Sequence, residues 1–197
     1  MPAVSLQTIS RLALAGVATA EGLFALRRWN TRREVFAAAS RRAQELGRPL
    51  VVVGDPHAGA HTSLMPAYGC GDLCIDLRGC PRCLNFRAAD ITRGPIAGIA
   101  DDSAVAFVSC VLEYVSDPQA ALAELARIAG DPANLFVVMV QPHTFTAALY
   151  PGAKWTGAAP DAMVPVTLRH KLGASALLAV LLTGAVWPRR SPSEGVP

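Results

Sequence analysis

The run PLVVVG, Pro49 to Gly54, constrains this chain more than any other stretch. Its apolar residues are continuous rather than alternating, three of them are β-branched, and Pro and Gly close it at either end. A run that short and that apolar predicts a strand buried on both faces, and such strands belong to parallel sheets covered by helices. The flanking segments agree. EVFAAASRRAQEL, 34 to 46, is rich in helix formers and stops at Gly47 with Pro49 two residues on, the usual end signals of a helix. LCIDL (73 to 77) predicts a second strand, AVAFVSCVL (104 to 112) a third or fourth, and LFVVMV (135 to 140) the next. Between the last two, Ser116-Asp117-Pro118 opens a helix over Gln119 to Ala129, with Leu122, Leu125 and Ile128 at helical spacing. Ser116 or Asp117 is the cap, Pro118 suits the first turn, and Gly130-Asp131-Pro132 ends the helix. Strands alternating with helices predict an α/β fold with a parallel sheet. In such sheets ligands lie beyond the carboxyl ends of the strands, where strand order reverses. Gly54-Asp55, Asp76 and Ser109-Cys110 all fall at such ends.

Composition adds a second theme. The chain of 197 residues is 52% hydrophobic and only 17% charged, against about a quarter charged in ordinary soluble domains. The excess lies near the two ends. Residues 9 to 26, ISRLALAGVATAEGLFAL, form one apolar stretch, and Leu172 to Trp187, LGASALLAVLLTGAVW, form another without charge. The first reads as an uncleaved anchor, an interfacial helix or a helix packed on the domain. Basic residues follow it rather than precede it, which is the wrong order for a secretory signal peptide. The second, flanked by Arg169, His170 and Lys171 and by Arg189-Arg190, reads as a short span or a core helix. Arginines 27, 28, 32, 33, 41, 42 and 48 face only Glu34 and Glu45, a solvated helix face or a juxtamembrane basic segment on the cytoplasmic side. No basic surface is interleaved with aromatics, so no nucleic-acid partner is expected. Three parts are expected: an apolar helix with its basic segment over 1–33, the α/β domain over 34–165, and an apolar helix with a disordered tail over 166–197.

The segment ADDSAVAFVSCVLEYVSDPQAALAELARIAGDPANLFVVMVQP, Ala100 to Pro142, closely resembles part of the class I S-adenosylmethionine-dependent methyltransferases, type 11 group. There a strand enters a hydrophobic-Glu-[His/Tyr]-hydrophobic turn, here FVSCVLEYV. An Asp-Pro-initiated ALxELxR-type helix follows, here DPQAALAELARI, and then a strand, here NLFVVMV. Working outward, RPLVVVGDPHAG stands where the family has its first strand and D-x-G-x-G-x-G loop, retaining Gly54, Asp55 and Gly59 with Pro56 and His57 between. The resemblance implies a Rossmann-like parallel sheet over about 48 to 142, truncated or divergent at its C-terminal end, with apolar terminal helices. It implies that Asp76 takes the ribose hydroxyls and Asp90, in Ala89-Asp90-Ile91, the adenine amine. Ser109 and Cys110 would line the floor near the methionine moiety, with Gly54, Asp55 and Gly59 at the cofactor loop. The layout with an apolar N-terminal segment and a YPGAKW block also resembles methyltransferase-like proteins of large DNA viruses.

Other residues carry chemistry of their own. Cys70-x3-Cys74-x5-Cys80-x2-Cys83 brings four thiols within fourteen residues, a donor set that suits tetrahedral zinc. A redox-active pair and ordinary thiols are the other readings. Five cysteines, an odd number, and no signal peptide favour a reducing compartment over a disulfide framework. His57 and His143 lie just past strand ends, where a general base would sit. Methyl transfer is a direct displacement at a sulfonium carbon, so the protein has mainly to position the partners and accept a proton. Three functions stay open: a methyltransferase acting on a small-molecule, lipid or protein acceptor; a catalytically inactive methyltransferase-like structural or interaction protein at a membrane; and a zinc-stabilised binding domain. The expected location is cytoplasmic, free or anchored to a membrane.

Overall fold

A computed structural model of the chain describes residues 5–58, 65–139, 152–157 and 159–186. Helix α1 spans Leu6–Leu46, and strands β1 (Leu50–Val53), β2 (Leu73–Asp76), β3 (Phe86–Ala88) and β4 (Val105–Ser109) follow. Helix α2 covers Pro118–Ala129, β5 Leu135–Val138, β6 Trp155–Thr156, β7 Val164–Pro165 and helix α3 Leu168–Val186. The main sheet has the order β3-β2-β1-β4-β5, every neighbouring pair parallel. The chain winds outward from β1 to β3, returns to β4 beside β1, and winds outward the other way. The order therefore reverses between β1 and β4. The protein is an α/β fold of general Rossmann-like character, with an antiparallel β6–β7 pair outside the main sheet.

Alternate residues of β1 feed two cores, as the pleat requires. Val51 and Val53 join Ile75, Ala106 and Val108 against Ala121, Leu125, Ile128 and Ala129 of α2. Leu50 and Val52 join Val105, Phe107 and Val138 against Ala39 and Ala43 of α1, with Val35 and Phe36 packed beside them. Four buried residues in a row explain why the run showed no polar alternation. Asp117 caps α2 by accepting from the Gln119 and Ala120 N–H groups at 2.9 and 3.0 Å. α1 ends at Gly47, whose φ of 60° lets its N–H reach back to Ala43 and Gln44.

The helix expected over 34 to 46 and the apolar stretch before it are one continuous helix of 41 residues. No proline or glycine interrupts the sequence between Leu23 and Leu46, so the backbone ladder runs through the arginines. α1 is antiparallel to the strands. Arg42 Nε donates to Asn134 Oδ1 at 2.9 Å, at the start of β5, and the Phe36 ring packs against Phe107 in mid-sheet at 5.3 Å between centroids. Arg32 reaches Cys110, just past the end of β4. Everything N-terminal to that point projects beyond the carboxyl edge of the sheet.

One buried ion cluster locks α2 to the loop after β3. Glu124 Oε1 accepts from the Ile96 N–H at 2.8 Å and from Arg127 Nη2 at 2.7 Å. Arg127 Nη1 also donates to Ile99 O and Asp101. Burial works against the Glu124 carboxylate, yet Arg127 and the Ile96 N–H overcome it and hold its carboxyl below the usual value. Removing one partner strands the other charge, so Glu124→Ala is expected to cost about 3 kcal/mol at neutral pH by urea denaturation. A depressed folded pKa stabilises above the unfolded value of about 4.3 and loses that contribution as pH falls through the folded value. The gap between wild type and variant should therefore narrow below about pH 4.

Candidate functional site

The site assembles at the carboxyl edge of β1, β2 and β4, where strand order reverses. β1 exits through Gly54 at φ 100°, and a Cβ there would fall 2.8 Å from Val111 Cγ2 and 3.3 Å from Ser109 O. Two conditions, a backbone conformation closed to side chains and a tight approach of β1 to the β4 exit, make this position glycine. The Asp55 N–H donates to Asp76 Oδ2 at 3.2 Å, and the Arg78 N–H donates to Asp76 Oδ1 at 2.9 Å. Asp76 thus ties the loop after β1 to the turn after β2. Asp55 Oδ1 accepts from the His57 N–H at 2.9 Å, closing a tight turn around buried Pro56.

Of the residues expected to form a cofactor site, Gly54, Asp55, Asp76, Ser109 and Cys110 meet at this edge. Asp90 follows β3 at the same edge, two strands further out. Its carboxylate accepts from the Thr92 N–H at 3.0 Å and hydroxyl at 2.7 Å and pairs with Arg93 at 3.1 Å. Thr92 first, then Arg93, hold the Asp90 carboxyl below the ordinary carboxylate range. Gly59 and His143 lie outside the described residues. His57 is described, and its imidazole has a nitrogen within 4.8 Å of the Cys70 and Cys83 sulfurs; it faces the cysteine cluster.

A residue that sequence reasoning left in the basic segment completes the edge. Arg32 Nη2 donates to Cys110 Sγ at 2.8 Å across 78 positions of sequence. Burial opposes the Arg32 charge, but Cys110, Tyr68 and Glu113 nearby more than offset it, and the guanidinium stays protonated. Cys110 itself sits at φ 54°, with its N–H bonded to Val138 O at 2.7 Å. Burial pushes the Cys110 thiol up despite the pull of Arg32, so this is a thiol rather than a nucleophilic thiolate at neutral pH. Tyr68, tilted against Phe36 and edge-on to Phe107 at centroid distances of 6.1 and 5.0 Å, has its hydroxyl pushed up to about 12 by burial, against the pull of Arg32. Arg32 Nε is buried without a hydrogen-bond partner among the described residues, and the Ser109 hydroxyl lies within reach of the Tyr68 hydroxyl. A fixed guanidinium with an unpaired N–H, near the Ser109 and Tyr68 hydroxyls, has the chemistry to hold a carboxylate or another small anion. Nothing in the local sequence around Arg32 marks it; its only signal was an arginine placed one helical stretch before an aromatic that packs on the sheet.

The cysteines form a separate cluster between β2 and β3. Cys70 is disulfide-bonded to Cys83 and Cys74 to Cys80, with Cα separations of 5.6 and 6.2 Å. The sequence favoured a reduced set of cysteines, as zinc ligands, a redox-active pair or ordinary thiols, over a disulfide framework; in the structure four are paired and Cys110 is the free one. The loop after β2 turns at Gly79 and doubles back, setting Cys80 against Cys74 and Cys83 against Cys70. Cys74 is fully buried, its Sγ 3.9 Å from Gly54 O at the end of β1. The cluster also has metal-ligand spacing: the sulfurs of Cys74, Cys80 and Cys83 lie within 4.8 Å of one another, as do the donor atoms of His57, Cys70 and Cys83. Reduced, these donors fit the thiolate and imidazole set of a zinc centre.

No family model, curated protein or solved structure matches the chain.

Proposed function

We propose that this protein is an S-adenosylmethionine-dependent methyltransferase attached to a membrane. The observation that carries the reading is the convergence of Gly54-Asp55, Asp76 and Ser109-Cys110 at the point of strand reversal in a β3-β2-β1-β4-β5 sheet. Ligands of doubly wound sheets bind at that point, and these are the positions the resemblance to the methyltransferases assigns to the cofactor. Asp76 would hold the ribose hydroxyls and Asp90 the adenine amine, each giving up a loop contact to do so. Arg32 and Ser109 would receive the carboxylate of the methionine moiety, with the backbone of Gly54 and Asp55 alongside. The bound cofactor supplies an activated methyl group. The chain contributes orientation of the acceptor and exclusion of water at the edge. His57 faces the cysteines, so the proton of the acceptor passes to solvent or to a base outside the described residues, where His143 stands.

The membrane part of the reading rests on α1, a helix long and apolar enough to cross a bilayer by length and composition. The test of the cofactor part is calorimetric titration of the full chain with S-adenosylmethionine. Asp76→Ala removes a charged acceptor from two hydroxyls, a loss of about 1.5–3 kcal/mol, and is expected to weaken binding roughly 10- to 100-fold. Two other readings have their own supports. Pro56 offers no N–H to a cofactor loop, which favours a catalytically silent module. The donor spacing of the cysteine cluster favours a zinc-stabilised form of the same domain.

A further inference from the structure

Two apolar helices leave the protein at the edge that carries the candidate site. α1 passes Arg32, at the end of β4, and continues outward as Leu6 to Phe24 and the arginines behind it. α3 starts at the same edge: the Lys154 and Trp155 N–H groups bond to Glu113 O at 2.8 and 3.1 Å, and the Val166 N–H bonds to Lys154 O at 2.8 Å. Glu113 lies four residues past the end of β4, so the β6–β7 pair that feeds α3 is fastened there. α3 packs on α1, and burial shows how. Along α1 from Gln7 to Trp29 the half-buried positions are Gln7, Ser10, Leu14, Val17, Ala20, Glu21, Phe24, Arg28 and Trp29; along α3 they are Lys171, Ala174, Leu178 and Leu181. Steps of three and four repeat on both helices, the seam of a left-handed helix pair. The faces away from that seam are mostly apolar and bare, including Leu12, Leu23 and Leu26 on α1 and Leu172, Leu177 and Val180 on α3, with Arg11 the one charged residue exposed between Gln7 and Leu26.

The exposed faces match a lipid bilayer in four respects. Gln7 to Leu26 rises about 30 Å at 1.5 Å per residue, the thickness of a hydrocarbon core. The hydroxyls of Thr19, Ser175 and Thr183 each bond a carbonyl of their own helix, at 2.8–2.9 Å, which satisfies them without water. Glu21 lies in the seam rather than on the bare faces. At the base of the pair stand Arg27, Arg28, Trp29 and Arg33, with Arg33 over the Trp29 ring at 4.6 Å. An aromatic and several cations at that depth suit a headgroup layer carrying negative charge. Leu77 lies bare just beyond Asp76, and Trp29 Nε1 donates to the carbonyl of exposed Met65 at 3.2 Å.

We infer that α1 and α3 form a two-helix stem in an anionic phospholipid bilayer, that the stem holds the carboxyl edge of the sheet against the headgroup layer, and that the group modified at this site is carried by a lipid. The stem and its orientation stand on the helices alone; the acceptor class rests on the methyltransferase reading. A lipid-borne acceptor is favoured because the carboxyl edge that carries Asp76 and Cys110 is the edge from which α1 leaves the sheet.

The test uses the full chain with a benzophenone amino acid in place of Leu77 or, separately, Leu46, both exposed. Leu77 lies at the carboxyl edge of the sheet and Leu46 at the opposite edge. Each variant is mixed with vesicles of phosphatidylcholine and phosphatidylglycerol, floated and irradiated without cofactor. Both variants should float, several-fold better than with phosphatidylcholine alone, and the Leu77 variant should attach phospholipid at least tenfold more than the Leu46 variant. Equal or stronger attachment at Leu46, equal flotation on neutral vesicles, or a chain that stays in the aqueous fraction as a monomer or self-associated species would overturn the inference. Because no cofactor is present, failure here is distinct from failure to bind S-adenosylmethionine. Transfer of label from methyl-labelled cofactor to extracted lipid, rather than to added soluble acceptors, is the outcome expected for the acceptor.

Discussion

Gly54→Ala is expected to destabilise the domain by about 3 kcal/mol. The alanine must adopt φ near 100°, outside the regions open to L side chains. Its methyl meets Val111 Cγ2 at 2.8 Å, and a β-branched neighbour has few rotamers to yield. Relief by backbone movement would part β1 from the exit of β4, where Ser109 O lies 3.3 Å from the added carbon. For a chain of this size the melting temperature should fall by roughly 6–12 °C. Gly16→Ala is the control. That glycine sits within α1 with nothing inside 4 Å of a new Cβ, so the change should be neutral or raise helix stability by up to about 1 kcal/mol.

Reduction of the two disulfides is the second large effect. Cys70–Cys83 closes a loop of separation 13, and Cys74–Cys80 a loop of separation 6 inside it. Loop-closure entropy assigns about 3 and 2.4 kcal/mol to them singly, and less than the sum together because they are nested. A loss of about 4 kcal/mol on reduction is expected by urea denaturation with and without reductant. The same experiment weighs the metal reading. If the reduced cluster holds zinc, adding zinc to the reduced chain restores the lost stability, and Cys80→Ser with Cys83→Ser abolishes that recovery. The redox state also bears on location: paired cysteines belong to oxidising compartments, whereas arginines clustered at the base of α1 favour a cytoplasmic domain.

The parts of the fold legible in the sequence are those written by local physics. The Leu50–Val53 strand showed itself because burial on both faces demands an unbroken apolar run, and α2 because Asp117 and Pro118 announce its first turn. Gly47 marked the end of α1 for the same kind of reason. β3 was missed. Its three residues, Phe86-Arg87-Ala88, are too few to show a period, and two of them are exposed; it is a strand because it pairs with β2. The site divided along the same line. Asp55, Asp76, Ser109 and Cys110 could be placed together at the carboxyl edge from their positions at strand ends. Arg32, Tyr68 and the cysteine pairings were not, since each depends on which distant segment folds against it, and cysteine connectivity is not deducible from spacing. The 41-residue helix was present in the sequence as an absence of breakers, but its division into an apolar half and a half lying on the sheet became legible only with the sheet in place.

Calorimetric titration of the full chain in detergent micelles with S-adenosylmethionine, and with its demethylated product, tests the central claim most directly. Saturable heats at a one-to-one ratio, weakened roughly 10- to 100-fold by Asp76→Ala, are the predicted result. No heat of binding at millimolar ligand from a folded chain would contradict it.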